Sequence, residues 1–146
     1  MRFLPIGRLY DLPDKIQTLV EEIAEETAHF TNRVLTVALS YGGRSEILDA
    51  VNNILDDSRN GKVMESVSEN QFEQYLATAD LPAPALLIRT SGEARVSNFL
   101  LWQMAYTELY FTKVFWPDFR RREVLLALLD YQKRERRFGS VPQSSP

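Results

Sequence analysis

The sequence of 146 residues contains no cysteine, which excludes disulfide bonds and thiolate metal sites and gives no indication of a redox compartment. It also lacks a basic excess: the formal net charge is −3, whereas a general nucleic-acid surface usually needs a positive charge, so we expect no nucleic-acid partner. No apolar run is long enough for a signal peptide or a membrane span. We therefore expect a cytoplasmic protein, and peripheral contact with a membrane surface stays open.

Hydrophobic residues make up 45% of the chain and charged residues 25%, the balance of an ordinary soluble globular protein. A chain of this length buries about two-thirds of its unfolded surface as a single domain. We predict one domain over residues 1–139. The serine-, proline- and glutamine-rich residues 140–146 are predicted to form a disordered tail.

Strand and helix patterns alternate along the chain. Short apolar or β-branched runs predict strands over residues 2–6, 34–39 and 85–88. Apolar residues at three- and four-residue spacing predict helices over residues 13–27, 47–55, 68–77, 98–106 and 120–137. With a further short strand before the last helix, this order predicts an α/β domain with a mostly parallel sheet flanked by helices. The predicted sheet is small and lacks strands on one side.

Two of these helices carry apolar stripes that we expect to face the core. Their residues are Ile16, Leu19, Val20, Ile23, Ala24 and Thr27 on the first helix, and Val124, Leu125, Leu128 and Leu129 on the last. The glutamates between the apolar positions of the first helix predict a solvated face. The basic residues 133–137 favour the dipole at a helix C-terminus and need no other explanation from charge alone.

A glycine turn, Tyr41-Gly42-Gly43-Arg44, follows the second predicted strand and precedes a helix. Strand, glycine turn and helix form the unit of a parallel α/β sheet, whose ligands bind at the carboxyl ends of the strands. Two glycines followed by an arginine can hold an anion. They can equally form a tight strand-to-helix turn with no ligand, and both interpretations stay open.

The segment that begins at Arg89 carries the clearest candidate site. Arg89 ends the third predicted strand, and Arg95 and Ser97 follow before the predicted helix. Two guanidinium groups and a serine hydroxyl at a helix start suit a multiply charged anion such as a phosphate or a diphosphate. The structural alternatives are an N-cap role for Ser97 and an ion pair of either arginine with Glu93 or Glu108.

Glu108 lies among apolar and aromatic neighbours, where an unpaired carboxylate would be costly to bury. It must therefore pair with an arginine or bind a cation, and Mg²⁺ takes few carboxylates together with diphosphate oxygens. The aromatic residues of this segment predict a packed core or a subunit interface, with a wall for an apolar ligand as the alternative. They are Phe99, Trp102, Tyr106, Tyr110, Phe111, Phe115, Trp116 and Phe119.

Five segments together carry a resemblance to a known family. Three of them are RTSGEARVSNFLLWQ over residues 89–103, YTELYF over residues 106–111 and WPDF over residues 116–119. The other two, in the same order as in the family, are YGGR over residues 41–44 and RERRFG over residues 134–139. With these segments the chain closely resembles the cis-prenyltransferases, which include undecaprenyl diphosphate synthase, and the resemblance extends up to the tail.

The resemblance implies a homodimeric or heterodimeric α/β enzyme that uses Mg²⁺ to condense isopentenyl diphosphate with an allylic diphosphate, giving a cis double bond. It implies that Arg89, Arg95 and Ser97 bind the diphosphate of isopentenyl diphosphate. Glu108 corresponds to the metal-associated glutamate of the family.

The resemblance also assigns a function to the basic end of the chain. Arg137 and Gly139 match the family's Arg-x-Gly motif, which reaches the site of the partner subunit and takes part in substrate binding. The aromatic segment would then belong largely to the dimer interface.

The chain departs from the family on its amino-terminal side. The family's Met-Asp-Gly-Asn-Gly-Arg block, whose aspartate binds the allylic diphosphate and its Mg²⁺, has no counterpart in the sequence. The first strands are also missing, and so are the helices that form most of the apolar tunnel for the growing product. Ser40 stands where the family commonly has asparagine. We therefore expect the C-terminal part of a cis-prenyltransferase, which supplies the isopentenyl diphosphate half-site and the dimer interface and has negligible activity alone. The alternatives are a non-catalytic partner subunit of a heteromeric enzyme and an inactive truncated product.

Overall fold

The computed structural model describes residues 1–62 and 65–134. The strands and α-helices in this part of the chain are, in order, β1 (Arg2–Ile6), α1 (Asp14–Thr27), β2 (Val34–Ala38), α2 (Gly43–Arg59), α3 (Glu69–Glu73), β3 (Leu86–Arg89), β4 (Glu108–Phe111) and α4 (Arg121–Gln132). These elements confirm the α/β class. Among the described residues, no helix combines the length and the apolar character needed to cross a bilayer.

The chain divides into two compact units, each with its own pair of parallel strands. Of the described residues, the first unit contains those of Met1–Pro82 together with Asn98–Trp102. The second contains Ala83–Ser97 together with those that follow from Gln103 to residue 134. Strands β1 and β2 pair in the first unit, and strands β3 and β4 pair in the second. The parallel pairing predicted from the alternation of strands and helices is therefore present, as two strand pairs in the described residues. The prediction of one domain followed by a tail stays a prediction.

In the first unit, α1 connects β1 to the parallel strand β2 and packs against β1. The end of α1 is tied to the strand because the backbone N–H of Phe3 donates to the hydroxyl of Thr27 at 2.9 Å. Gly7, directly after β1, has a φ of +107°, and a Cβ there would lie 2.1 Å from the carbonyl oxygen of Leu39. Both the conformation and the close approach therefore require glycine at the carboxyl end of β1.

The apolar stripes of α1 and α4 are largely exposed, so the prediction that they face the core was wrong. Val20 is buried on α1, but Ile16, Leu19 and Ile23 expose 40%, 50% and 36% of their surface. On α4, Ala127 is buried instead of the larger side chains. A pair of strands covers only part of a helix stripe, so one residue is buried on α1 and one on α4. The exposed side chains of α4 are Val124 at 38%, Leu125 at 48%, Leu128 at 43% and Leu129 at 52%.

The second unit lacks the helix predicted over residues 98–106 between β3 and β4. These residues form a series of turns, and the part from Asn98 to Trp102 belongs to the first unit. The φ angles of Ser97, Asn98 and Leu100 are +49°, +61° and +42°. An α-helix of L-residues cannot start through a left-handed backbone, so the prediction of Ser97 as a helix N-cap was also wrong.

Candidate anion site

Arg89, the last residue of β3, is the centre of the candidate site. Its Nη1 donates to the hydroxyl oxygen of Ser97 at 2.8 Å and to the backbone carbonyl of Arg95. Its own carbonyl accepts from the backbone N–H of Thr112 at 2.9 Å, so the residue is held at both its backbone and its side chain. The structure therefore places the three residues predicted at the anion site in the segment 89–97. The Arg89 side chain connects the two ends of this segment through its hydrogen bonds to Arg95 and Ser97.

The backbone of this loop is held against the segment that follows β4. The N–H of Ser91 donates to the carbonyl of Val114 at 2.9 Å, and the N–H of Gly92 donates to the carbonyl of Thr112 at 2.8 Å. Ser91 and Gly92 have φ angles of +70° and +74°. The nearest atom to a Cβ on Gly92 would be in Lys113 at 3.8 Å, so the left-handed conformation, and not lack of space, favours glycine here.

Arg95 forms an ion pair with Glu93, one of the structural alternatives considered for it. The side chains expose 67% and 40% of their surface, respectively. An ion pair in this environment contributes only about 0–1 kcal/mol, because water screens it and both side chains lose freedom. The guanidinium of Arg95 therefore stays accessible to an anion from solvent.

The loop can bind and orient an oxyanion. Guanidinium groups make charge-assisted hydrogen bonds to phosphate oxygens, and the hydroxyl of Ser97 can donate while it accepts from Arg89. The guanidinium groups of the loop offer hydrogen-bond donors and no acceptors, so they suit the binding of an anion. These properties suit a phosphate or a diphosphate.

Glu108, the first residue of β4, is paired with Arg134. Its Oε2 accepts from Nη1 of Arg134 at 2.7 Å, and the glutamate side chain is 26% exposed. Arg134 also donates to Oδ2 of Asp130, from Nη2 at 2.6 Å and from Nε at 2.9 Å. Hydrogen bonding to Glu108, and secondly to Asp130, raises the pKa of Arg134 above its ordinary value, so this cation is permanent. Glu108 was predicted either to pair with an arginine or to bind a cation, and the structure shows the pairing with an arginine.

Glu108 also fits a magnesium site that is shared with a substrate. Within residues 1–62 and 65–134, no group of three or more histidine, aspartate or glutamate side chains is arranged to enclose a metal. Mg²⁺ commonly binds to one or two carboxylates and completes its coordination with substrate phosphate oxygens and water. A single half-buried carboxylate such as Glu108 is the donor that such a shared site needs from the protein.

The glycine turn after β2 is occupied by the protein itself. The backbone N–H of Gly43 donates to the carbonyl of Asn98 at 2.7 Å, and the backbone N–H of Arg44 donates to Oδ1 of Asn98 at 2.9 Å. This contact favours the structural interpretation of the turn. The sequence analysis did not identify Asn98. The available signal was the asparagine itself, because asparagine tolerates a left-handed backbone better than most residues.

Glu46 is a second residue that the sequence analysis missed. It exposes only 9% of its surface, and its carboxylate accepts from the hydroxyl of Tyr41 at 2.6 Å and from the backbone N–H of Ala77 at 3.1 Å. Burial, and secondly the hydrogen bond to Glu46, raise the pKa of Tyr41. This pair lies beside a cavity of about 260 Å³ at the carboxyl ends of β1 and β2. The position of Glu46, in the first turn of α2, is the signal that could have identified this residue.

The predicted aromatic segment is divided between the two units. In the first unit, the Trp102 ring packs on Phe72 with a centroid distance of 4.4 Å. In the second unit, Tyr106, Phe115 and Trp116 expose 79%, 63% and 74% of their surface. The prediction of a packed core is therefore wrong for these three residues, and the alternatives of a subunit interface and a ligand wall stay predictions. Arg137 and Gly139 lie outside the described residues.

Comparison with known proteins gives a consistent result. A family model for undecaprenyl diphosphate synthase matches residues 1–139. The chain is 53% identical over 136 residues to an isoprenyl transferase of Thermotoga maritima, covering 93% of the chain and 58% of that protein. It is 47% identical over 135 residues to a tritrans,polycis-undecaprenyl-diphosphate synthase (geranylgeranyl-diphosphate specific) of Methanopyrus kandleri, covering 92% of the chain and 50% of that protein.

A solved structure is also similar over most of the chain. The crystal structure of lavandulyl diphosphate synthase from Lavandula x intermedia, in complex with dimethylallyl diphosphate, gives a TM-score of 0.91 at 36% identity. The match covers 95% of this chain and 60% of that one. The chain thus spans a little over half the length of the proteins it matches.

Proposed function

Because the chain belongs to the undecaprenyl diphosphate synthase family of prenyltransferases, we propose that it supplies the isopentenyl diphosphate half of a cis-prenyltransferase active site. In the reaction, the carbon–oxygen bond of an allylic diphosphate breaks and diphosphate leaves. The double bond of isopentenyl diphosphate forms the new carbon–carbon bond, and a proton is lost from the isopentenyl unit. The products are a prenyl diphosphate longer by one isoprene unit, a diphosphate ion and a proton. The names of the Thermotoga and Methanopyrus relatives support this reaction class.

The observation that carries the proposal is the closed loop of Arg89, Arg95 and Ser97. Arg89 contacts the hydroxyl of Ser97 and the backbone of Arg95, and these contacts hold the loop in place. We assign these three residues to the diphosphate of isopentenyl diphosphate. Holding that group fixes the double bond relative to the allylic carbon, which converts a bimolecular encounter into an oriented one.

Glu108 is the residue that would hold Mg²⁺ together with diphosphate oxygens. When bound, the ion would neutralise negative charge on the diphosphate groups. The protein's own contribution is a carboxylate kept in place by Arg134, which is in turn held by Asp130. One arginine shared between two carboxylates leaves the cluster with a net negative charge, which favours a cation.

The proposal includes a dimer, either with a second copy or with another cis-prenyltransferase subunit. The exposed apolar residues of α4 and the exposed Phe115 and Trp116 support an interface, because large apolar side chains are rarely left in water in such number. By the family resemblance, Arg137 and Gly139 of one subunit would complete the substrate site of the partner.

We further propose that the chain is inactive alone and needs a polypeptide that supplies the aspartate for the allylic diphosphate. The alternative is a non-catalytic subunit of a heteromeric enzyme, which has no need of a closed diphosphate loop. Calorimetry with isopentenyl diphosphate and Mg²⁺ distinguishes these proposals, since only a chain with the half-site binds the ligand. No binding would contradict the proposed half-site.

Radiolabelled isopentenyl diphosphate, with farnesyl diphosphate and Mg²⁺, tests turnover. We expect no long-chain product from the purified chain, and robust product from the chain alone would overturn the proposed requirement for a second polypeptide.

A further inference from the structure

Lys113 lies in the segment that follows β4, beside the candidate anion site of the second unit. Both of its chain neighbours are hydrogen-bonded to the turn of that site. The carbonyl of Thr112 accepts from the backbone N–H of Gly92 at 2.8 Å. The carbonyl of Val114 accepts from the backbone N–H of Ser91 at 2.9 Å. The backbone on either side of Lys113 is therefore tied to the turn, which fixes where this lysine begins.

The side chain of Lys113 starts directly beside Gly92. A Cβ on Gly92 would have Cγ of Lys113 as its nearest atom, at 3.8 Å, and Cα of the same lysine at 3.9 Å. Lys113 is exposed, and none of the ion pairs recorded for residues 1–62 and 65–134 involves it. Its ammonium group is thus available to an anion that binds at this turn.

The charge of the site gives this lysine a use. The segment 89–97 contains two arginines, Arg89 and Arg95, and one acid, Glu93, so its side chains carry a single net positive charge. The acid lies close to one of the cations, because Glu93 forms an ion pair with Arg95. A diphosphate group is multiply charged, and Lys113 doubles the net positive charge that faces it. Lysine binds phosphate as a compact charge on a flexible stem.

We propose that Lys113 is a further binding residue of the diphosphate site, whose ammonium group donates to an oxygen of the diphosphate of isopentenyl diphosphate. This inference rests on the proposed function and adds to it a third cation, from outside the segment 89–97. The planar guanidinium groups of the arginines fix the direction of the diphosphate. The lysine contributes mainly to affinity and to the dependence of that affinity on salt.

Calorimetry on the full chain, with isopentenyl diphosphate and Mg²⁺, tests this contact. Lys113→Met keeps an unbranched apolar stem but removes the charge, so we expect the affinity to fall about tenfold, as the loss of one charge-assisted hydrogen bond does. Lys113→Arg keeps a cation with hydrogen-bond donors, and we expect it to bind within about threefold of the unaltered protein. Lys15→Met is the matched control, because it removes the same charge from an exposed lysine of the first unit and should leave binding unchanged.

Two further measurements separate contact with the diphosphate from a structural role. Inorganic diphosphate should lose affinity for Lys113→Met by a similar factor, because the contact is made to the diphosphate and not to the isopentenyl group. The affinity of Lys113→Met for isopentenyl diphosphate should also fall less steeply as salt is added, since one fewer cation attracts the ligand. The melting temperature should hardly change, because the side chain is exposed.

Unchanged affinity in Lys113→Met, or an equal loss in Lys15→Met, would overturn this assignment. So would a loss that is seen with isopentenyl diphosphate and absent with inorganic diphosphate. In each of these cases the proposed function stands, because it depends on binding by the unaltered chain. If the unaltered chain binds no isopentenyl diphosphate, the proposed function fails and this inference fails with it.

Discussion

Arg89 donates a hydrogen bond to the hydroxyl of Ser97 at 2.8 Å, and Ser97 lies eight positions further along the chain. The same guanidinium nitrogen also donates to the carbonyl of Arg95, so one side chain ties the loop together at two points. An anion-binding group that is already ordered loses less conformational entropy on binding. This relationship is the structural basis for assigning the loop to a diphosphate.

Arg95→Ala should weaken isopentenyl diphosphate binding by about tenfold or more, because a charge-assisted contact to the diphosphate is lost. The melting temperature should hardly change, since Arg95 is 67% exposed and its pairing with Glu93 is a surface contact. Arg59→Ala is the matched control, because it removes an exposed arginine that pairs with Asp56 at 2.9 Å. Calorimetry and thermal unfolding of both variants check this prediction, which equal affinity of Arg95→Ala and the unaltered protein would contradict.

Glu108→Gln should abolish the dependence of isopentenyl diphosphate binding on Mg²⁺. The amide keeps the size of the side chain but removes the charge that a hard cation requires. Titration of Mg²⁺ at fixed ligand should tighten binding in the unaltered protein and have no effect on the variant. Asp118→Asn, which neutralises an exposed acid of the second unit, should behave like the unaltered protein. A full magnesium response in Glu108→Gln would exclude the assigned role.

Tyr41→Phe should destabilise the first unit by about 1.5–3 kcal/mol, the usual loss for a hydrogen bond to a charged group. The hydroxyl of Tyr41 donates to the buried carboxylate of Glu46 at 2.6 Å, and the substitution removes this hydrogen bond. Urea unfolding gives the free-energy difference. Tyr10→Phe is the control because Tyr10 is 70% exposed, and it should be neutral. A matching loss in both variants would refute the importance of the buried bond.

Tyr41 also predicts a pH dependence of stability. Burial and Glu46 raise the pKa of the folded-state phenol, so the protonated form is favoured by folding. Its stabilising contribution is complete below the unfolded-state pKa of about 10 and is lost as the pH rises towards the folded-state pKa. The free energy of unfolding should therefore fall on the alkaline side of about pH 10 in the unaltered protein and fall less in Tyr41→Phe. Parallel alkaline profiles would contradict this assignment.

Local patterns in the sequence predicted the strands and most helices, since each is marked by its own apolar pattern and several are bounded by glycine or proline. The false helix after Ser97 arose because Phe99, Trp102 and Tyr106 have helical spacing. The competing determinant is long-range: Asn98 binds the start of α2, and no local pattern reports that contact.

The candidate site was predictable to a similar degree. Arg89 and Ser97 could be identified as candidates for the site because they follow the carboxyl end of a predicted strand, where α/β sheets bind their ligands. The partner of Glu108 could not be identified from the sequence, because the chain has several arginines. The observed partner, Arg134, is 26 residues away. Burial of α1 and α4 was overestimated because amphipathic spacing identifies an apolar face but not the size of the surface that covers it.

The exposed apolar face of α4 has a consequence for stability if the proposed partner subunit covers it. Leu125, Leu128 and Leu129 together expose far more apolar surface than the buried Ala127 removes from water. When a face of this kind is covered by another chain, the free energy of folding includes the free energy of association, and the unfolding midpoint rises as more protein is added. For the proposed dimer, folding and assembly would therefore be one equilibrium, and the thermodynamic unit would be larger than the single polypeptide.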